Sequence, residues 1–143
     1  MEDKDILEVG RFLYDNYPGF NSSFPIWKLL SIVDRNADKV VYVRDRGVLK
    51  GAAFYLKLTD QSLHLVDLGV ISLKERDIVE NLIQEDGDNV HFVCVLADNA
   101  KTILKGLRQV IKKESPKTIS WFKPDMDKIH FVKLRSEMIC LPQ

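Results

Sequence analysis

Asp67 is where a catalytic argument about this sequence begins. It lies in Ser62–Val70, S-L-H-L-V-D-L-G-V. Strand alternation over that run puts Leu63, Leu65 and Asp67 on one face, and His64, Val66 and Leu68 on the other. A carboxylate on an otherwise apolar strand face needs a partner or water, or its pKa rises. A raised carboxylate suits a general base. Asp67 at a wet strand end, or paired with a cation, would instead be structural, and the residues leave both readings open. A second pattern is cationic: Lys101, Lys105, Arg108 and Lys112 recur at i, i+4, i+7 and i+11. Such a stripe attracts phosphate or is a solvated helix face. His64, His91 and His130 have no metal-ligand spacing. His91, inside V-H-F-V-C-V-L, reads as a satisfied core histidine. No G-x-S-x-G, Cys–His pair or phosphate-binding Walker loop occurs.

The elements that must carry these residues follow from periodicity. Residues 4–16 place Ile6, Leu7, Val9, Phe12 and Leu13 at helical spacing, and Pro18 and Gly19 end that helix. Ser22 or Ser23 caps a second helix, with Pro25 in its first turn and Ile26, Leu29, Leu30 and Val33 as its stripe. Lys39–Arg44 and Gly51–Leu58 make an antiparallel hairpin turned at Gly47. Asp60–Gln61 turns into a third strand, Ser62–Val70. Ser72–Gln84 is helical, with Ser72 and Glu75 as a capping box, and Gly87 ends the segment. Val90–Ala97 is apolar on both faces, as a central strand should be. Asp98 and Asn99 cap a helix running to about residue 113. Its predicted buried face is Ala100, Ile103, Leu104, Leu107, Val110 and Ile111. Mid-helix Gly106 points to packing or close approach. A closing hairpin spans Lys117–Arg135, turned by Pro124–Asp127. The order is α-α-β-β-β-α-β-α-β-β: an α/β (α+β) single domain over 1–143, with a mixed central sheet and helices on both faces. The connection through Ser72–Gln84 is the one expected to join parallel neighbours.

Composition sets outer limits. The chain has 143 residues, 45% hydrophobic and 29% charged, which is globular in character. Its formal charge is zero, but residues 101–135 hold 10 Lys/Arg against three acids, while residues 1–100 hold 11 against 17. No apolar run approaches the roughly 20 residues of a membrane helix, so no membrane partner is expected. The start, M-E-D-K-D, is no signal peptide. Cys94 and Cys140 lack a C-x-x-C partner, so neither a disulfide framework nor a zinc site is expected. A cytoplasmic location follows as the expectation.

Two segments carry a resemblance to the GNAT N-acetyltransferase superfamily, and the element order from Lys39 to Arg135 supports it. Leu68–Val70, L-G-V, is similar to the family's L-A-V at the end of its fourth strand. Leu96–Leu104, L-A-D-N-A-K-T-I-L, resembles the strand whose closing Asn opens the next helix. The resemblance implies acetyl-CoA or another acyl-CoA as cofactor. Leu68 and Val70 would hold the pantetheine arm, and the Val70 N–H would face the oxyanion. Asn99 would touch the cofactor, although a plain helix cap explains it too. Asp67 would deprotonate the acceptor amine, of a small molecule or a protein. Trp121 and His130 would line the acceptor side.

The chain also departs from the family. The family's pyrophosphate loop, Q/R-x-x-G-x-G/A, corresponds to I-S-L-K-E-R-D-I-V, without glycine. Lys74 and Arg76 would then act as side-chain phosphate donors in place of a backbone cradle. The family's acid, a Tyr about seven residues after the helix-opening Asn, is replaced by Gly106. An N-acyltransferase and a non-catalytic GNAT-fold binding or regulatory module therefore both remain as readings. Nucleic acid is not an expected partner, because no RNP-like pattern occurs and Phe122 and Phe131 should be core.

Overall fold

The computed structural model describes residues 2–16, 25–73, 76–123 and 128–133, with the backbone alone at 76, 77, 122, 123 and 128–133. The predicted helix-ending Pro18 and Gly19, the Ser22/Ser23 cap, Lys74, Glu75 and the Pro124–Asp127 turn lie outside these residues. The element order is α1 (Asp3–Asn16), α2 (Ile26–Arg35), a 3-10 turn (Ala37–Lys39), β1 (Val40–Asp45), β2 (Val48–Leu58), α3 (Asp60–Asp67), α4 (Arg76–Leu82), β3 (Asn89–Ala97), α5 (Ala100–Glu114), β4 (Thr118–Lys123) and β5 (Lys128–Lys133). The strands form one mixed sheet ordered β1-β2-β3-β4-β5.

The chain divides into two compact units, Met1–Phe54 with Cys94–Val110, and Tyr55–Val93 with Ile111–Gln143. In the first, α1 and α2 bury Ile6, Val9, Leu13, Leu29 and Val33, and β1 and β2 add Val40, Val43, Ala52, Ala53 and Phe54. Arg44 of β1 ties α1 down, bonding Asp5 at 2.7 Å and also Glu8. That guanidinium holds the Asp5 carboxyl below the usual range. The β1–β2 hairpin turns at Arg46–Gly47, both at positive φ, the two-residue turn that matches strand twist. A bulge between Val43 and Arg44 shifts the register, so Val43 pairs with Gly51 and Arg44 with Leu49.

In the second unit Leu56, Leu58, Leu63, Val66, Leu82, Val90, Phe92 and Ile119 are buried. Tyr55 meets Phe92 edge-on at 5.8 Å, and its hydroxyl donates to Glu114 at 2.5 Å. Burial would raise the Glu114 pKa, but the Tyr55 hydroxyl and the Lys57 ammonium outweigh it and hold it low.

The predicted third strand is a helix. Thr59 caps α3, its hydroxyl accepting from the Ser62 N–H at 3.2 Å. Leu63 and Val66 are the buried pair, three residues apart. The run fits both periods, and its ends decide: a cap residue before it and a glycine after it. The parallel pair is also displaced. β3 and β4 run parallel, Asn89 opposite Thr118 through Phe92 opposite Trp121, joined by α5 and not by the Ser72–Gln84 region. The hydrogen bonds Gly87 N–H to Lys57 O and Asp98 N–H to Lys50 O join opposite ends of β2 and β3, the antiparallel sense. The predicted helix over Ser72–Gln84 is described as the shorter α4.

Candidate functional site

Leu68–Val70 is the C-terminal cap of α3. Gly69 takes φ 76°, its N–H bonds Val66 O at 3.1 Å, and the Val70 N–H bonds Leu65 O at 3.0 Å. This is the Schellman pattern, which a glycine enters without strain. It uses the Val70 N–H that the resemblance would aim at an oxyanion. Leu68 and Val70 are 60% and 68% exposed, and Asp67 is the exposed last residue of the helix. The apolar strand face that made Asp67 a candidate base does not exist, so that argument falls. Arg76 opens α4, and its side chain lies outside the described residues, as does Lys74. Trp121 and His130 are direct register partners on β4 and β5.

The N-termini of α3 and α5 are capped helix ends at which an anion could be placed. At α3, Glu85 is already there: its carboxylate accepts from the Thr59 N–H at 3.0 Å and from the Ser62 hydroxyl at 2.6 Å. Asp60 adds a second carboxylate in the first turn. It accepts from the Asn89 amide at 2.8 Å and from Lys117 at 2.7 Å, and these two partners hold its pKa below the usual carboxylate range. Gly87 makes the approach possible, since a Cβ there would lie 2.1 Å from Leu58 O. The positive end of α3 is thus met by the chain's own acids.

At α5, Asn99 acts as the cap, its amide oxygen accepting from the Thr102 N–H at 3.0 Å. The Thr102 hydroxyl donates to Asp98 at 2.5 Å. Among the described residues the Ala100 and Lys101 N–H groups meet no acceptor, and Lys101 puts an exposed cation there. The first turn sits tightly on β2, where a Cβ on Gly51 would come within 2.7 Å of the Thr102 methyl. The strand that feeds this helix opens to solvent at its end: Cys94 is buried, but Val95 is 42% exposed. This corner follows the first strand of the parallel pair, and ligands of α/β sheets gather at the carboxyl ends of such strands.

The described residues fit a phosphate-bearing cofactor in part at this corner. Two free N–H groups and Lys101 suit a phosphate. The Asp98 carboxylate and the lack of glycine in A-D-N-A do not. Thr59, Gly51 and Glu85 were not singled out by the sequence. Only Thr59, in T-D-Q-S before an apolar run, left a local signal.

A buried polar ladder runs along the start of the parallel pair. The Thr118 hydroxyl donates to Asn89 at 2.8 Å, and His91 Nδ1 lies 2.8 Å from Ser120 Oγ. His91 is fully buried, which pushes its pKa down to about 4. Its Nε2 has no partner among the described residues, so the histidine is satisfied at one nitrogen only. Cys94 is pushed up to about 12 by burial and is inert as a nucleophile at neutral pH. Among the described residues no cluster of His, Cys, Asp and Glu could hold a metal ion.

No protein-family model and no curated protein matches the sequence. The fold is similar to the solved structure of the GphF GNAT-like decarboxylase in complex with isobutyryl-CoA. The TM-score is 0.58 at 11% identity, covering 85% of this chain, and the chain spans 62% of the length of that one. The mixed sheet, its helices and this likeness together show a GNAT-like fold.

Proposed function

We propose that the chain binds an acyl-CoA at the β3–α5 corner and passes its acyl group to an amine. The observation that carries the reading is the likeness to a GNAT-like structure that holds isobutyryl-CoA. The corner's chemistry supports it: free N–H groups at Ala100 and Lys101, a cation on Lys101, and exposed Val95 on the adjoining strand. Asn99 contributes as the cap that orients these N–H groups. Lys74 and Arg76 remain proposed side-chain donors to phosphate. Trp121 and His130 are the residues to vary for the acceptor. With Asp67 displaced, no general base is assigned.

Calorimetry with CoA, acetyl-CoA and isobutyryl-CoA tests this reading. Saturable binding that Lys101→Glu abolishes supports the corner. No binding up to about 1 mM ligand sinks it. That outcome would favour the second reading, a GNAT-fold module without CoA chemistry.

A further inference from the structure

The helix α5 does not bury the face its sequence prepares. It packs through Thr102, Gly106 and Val110, at i, i+4 and i+8. Of its large aliphatics only Val110 is buried: Ile103 and Leu104 are 47% and 50% exposed, and Leu107 and Ile111 are half-buried. Alongside them runs the cation row Lys101, Lys105, Arg108 and Lys112, all exposed. Leu104 stands one turn from both Lys101 and Arg108, so the two rows share a border. The solvent-facing arc is therefore part aliphatic and part cationic over about 15 Å of helix. Nothing acidic interrupts it, because no Asp or Glu occurs from Ala100 to Lys113.

We propose that this arc of α5 docks on an anionic lipid surface. The aliphatic row enters the headgroup–acyl boundary, and the Lys and Arg stems lie along the apolar layer with their charges at the headgroups. The complementary charge is what selects this occupant. A second copy docked antiparallel along α5 would set two cation rows side by side. Attachment is peripheral: among the described residues no helix is long and apolar enough to cross a membrane. The expectation of no membrane partner rested on the lack of an apolar run long enough to span a bilayer, and a helix that lies in the interface needs no such run.

The test is co-sedimentation of the full chain with phosphatidylcholine vesicles, with and without phosphatidylserine at about three lipids in ten. Binding is expected on the mixed vesicles, absent on phosphatidylcholine alone, and weakened by salt. The Lys105→Ala/Arg108→Ala double variant should bind about 25-fold more weakly. Ile103→Ser/Leu104→Ser should also lose binding, and both variants should keep the parent melting temperature because the four side chains are exposed. Equal binding to both vesicles, no binding to either, or double variants that bind like the parent each overturn the proposal. So does a concentration-dependent dimer that Ile103→Ser/Leu104→Ser dissolves.

Discussion

The N-termini of α3 and α5 begin alike and end in opposite electrostatic states. Each has a polar cap whose side chain accepts from the N–H three residues on, Thr59 from Ser62 and Asn99 from Thr102. At α3 the helix dipole is then answered from within, by Glu85 across 26 residues of sequence and by Asp60. At α5 a single carboxylate, Asp98, is offset by Lys101, and among the described residues the N–H groups of the first two helical residues face no acceptor. Same cap chemistry, followed by a different neighbouring charge, separates an end that serves stability from one that can serve a ligand. Gly87→Ala tests the α3 end most severely. Its Cβ would sit 2.1 Å from the Leu58 carbonyl oxygen, a backbone atom that no side-chain rotation relieves. A loss of about 3 kcal/mol, the upper end for overpacking, is expected in denaturant unfolding. A loss below about 1 kcal/mol would mean that the approach behind the Glu85 cap is not tight.

The unit that holds α3 also holds His91, and acid should expose it. Burial lowers the folded pKa to about 4, from an ordinary value of 6.5. The unfolded chain therefore binds the proton more readily than the native one. The histidine's contribution is complete above pH 6.5, is lost as pH falls from there to about 4, and changes no further below. The shift corresponds to about 3 kcal/mol. Asp60 and Glu114, with lowered folded values, lose their contributions in the lower window beneath the ordinary carboxylate range. Unfolding free energy measured from pH 7 to 4 should thus fall before the carboxylates titrate. A flat profile over that window, or one that His91→Gln leaves unchanged, would contradict the buried neutral imidazole.

Local signals made part of this legible. R-G between the β-branched run Lys39–Arg44 and the apolar, aromatic run Gly51–Leu58 gave the hairpin, and D-N before an apolar-periodic run gave α5 with Asn99 as its cap. Ser62–Val70 was misread because Leu63 and Leu65 alternate while Leu63 and Val66 also lie one helical turn apart. Thr59 before the run and Gly69 after it were the available arbiters. With the strand goes the face argument that made Asp67 a candidate base, and Leu68 and Val70 become part of a helix cap. The buried face of α5 was misread for another reason. Periodicity finds the large aliphatics, but β2 offers a glycine at Gly51, and the small residue Thr102 fits there. The anion at α3 had no sequence signal, because Glu85 meets Thr59 and Ser62 only through the fold.

Loss of either cap should cost less. Glu85→Ala leaves the Thr59 N–H and the Ser62 hydroxyl without that acceptor and should cost about 1–2 kcal/mol. Asn99→Ala removes one bond to the Thr102 N–H and should cost about 1 kcal/mol. The informative difference lies in ligand response. On the proposed reading, Asn99→Ala weakens acyl-CoA binding in calorimetry and Glu85→Ala does not. Equal weakening by both would dissolve the distinction between the two ends.

The smallest expected effect is a gain. Gly106 lies mid-helix in α5, buried on the side that faces Val43. Had close approach demanded glycine, a Cβ there would clash. It would instead meet the Val43 methyl at 3.5 Å, an ordinary van der Waals contact. Glycine at such a site forfeits helix propensity with no steric return. Gly106→Ala should therefore stabilise the protein by about 0.5–1 kcal/mol, read as a raised denaturant midpoint at unchanged slope. Gly51→Ala, four residues' worth of helix away on the same contact face, should do the reverse, because its Cβ would strike Thr102 and the Leu96 carbonyl within 3.0 Å. A loss from both substitutions would mean that α5 sits closer to β1 along its whole length, and that the tight seat of its first turn is no special feature of the candidate site.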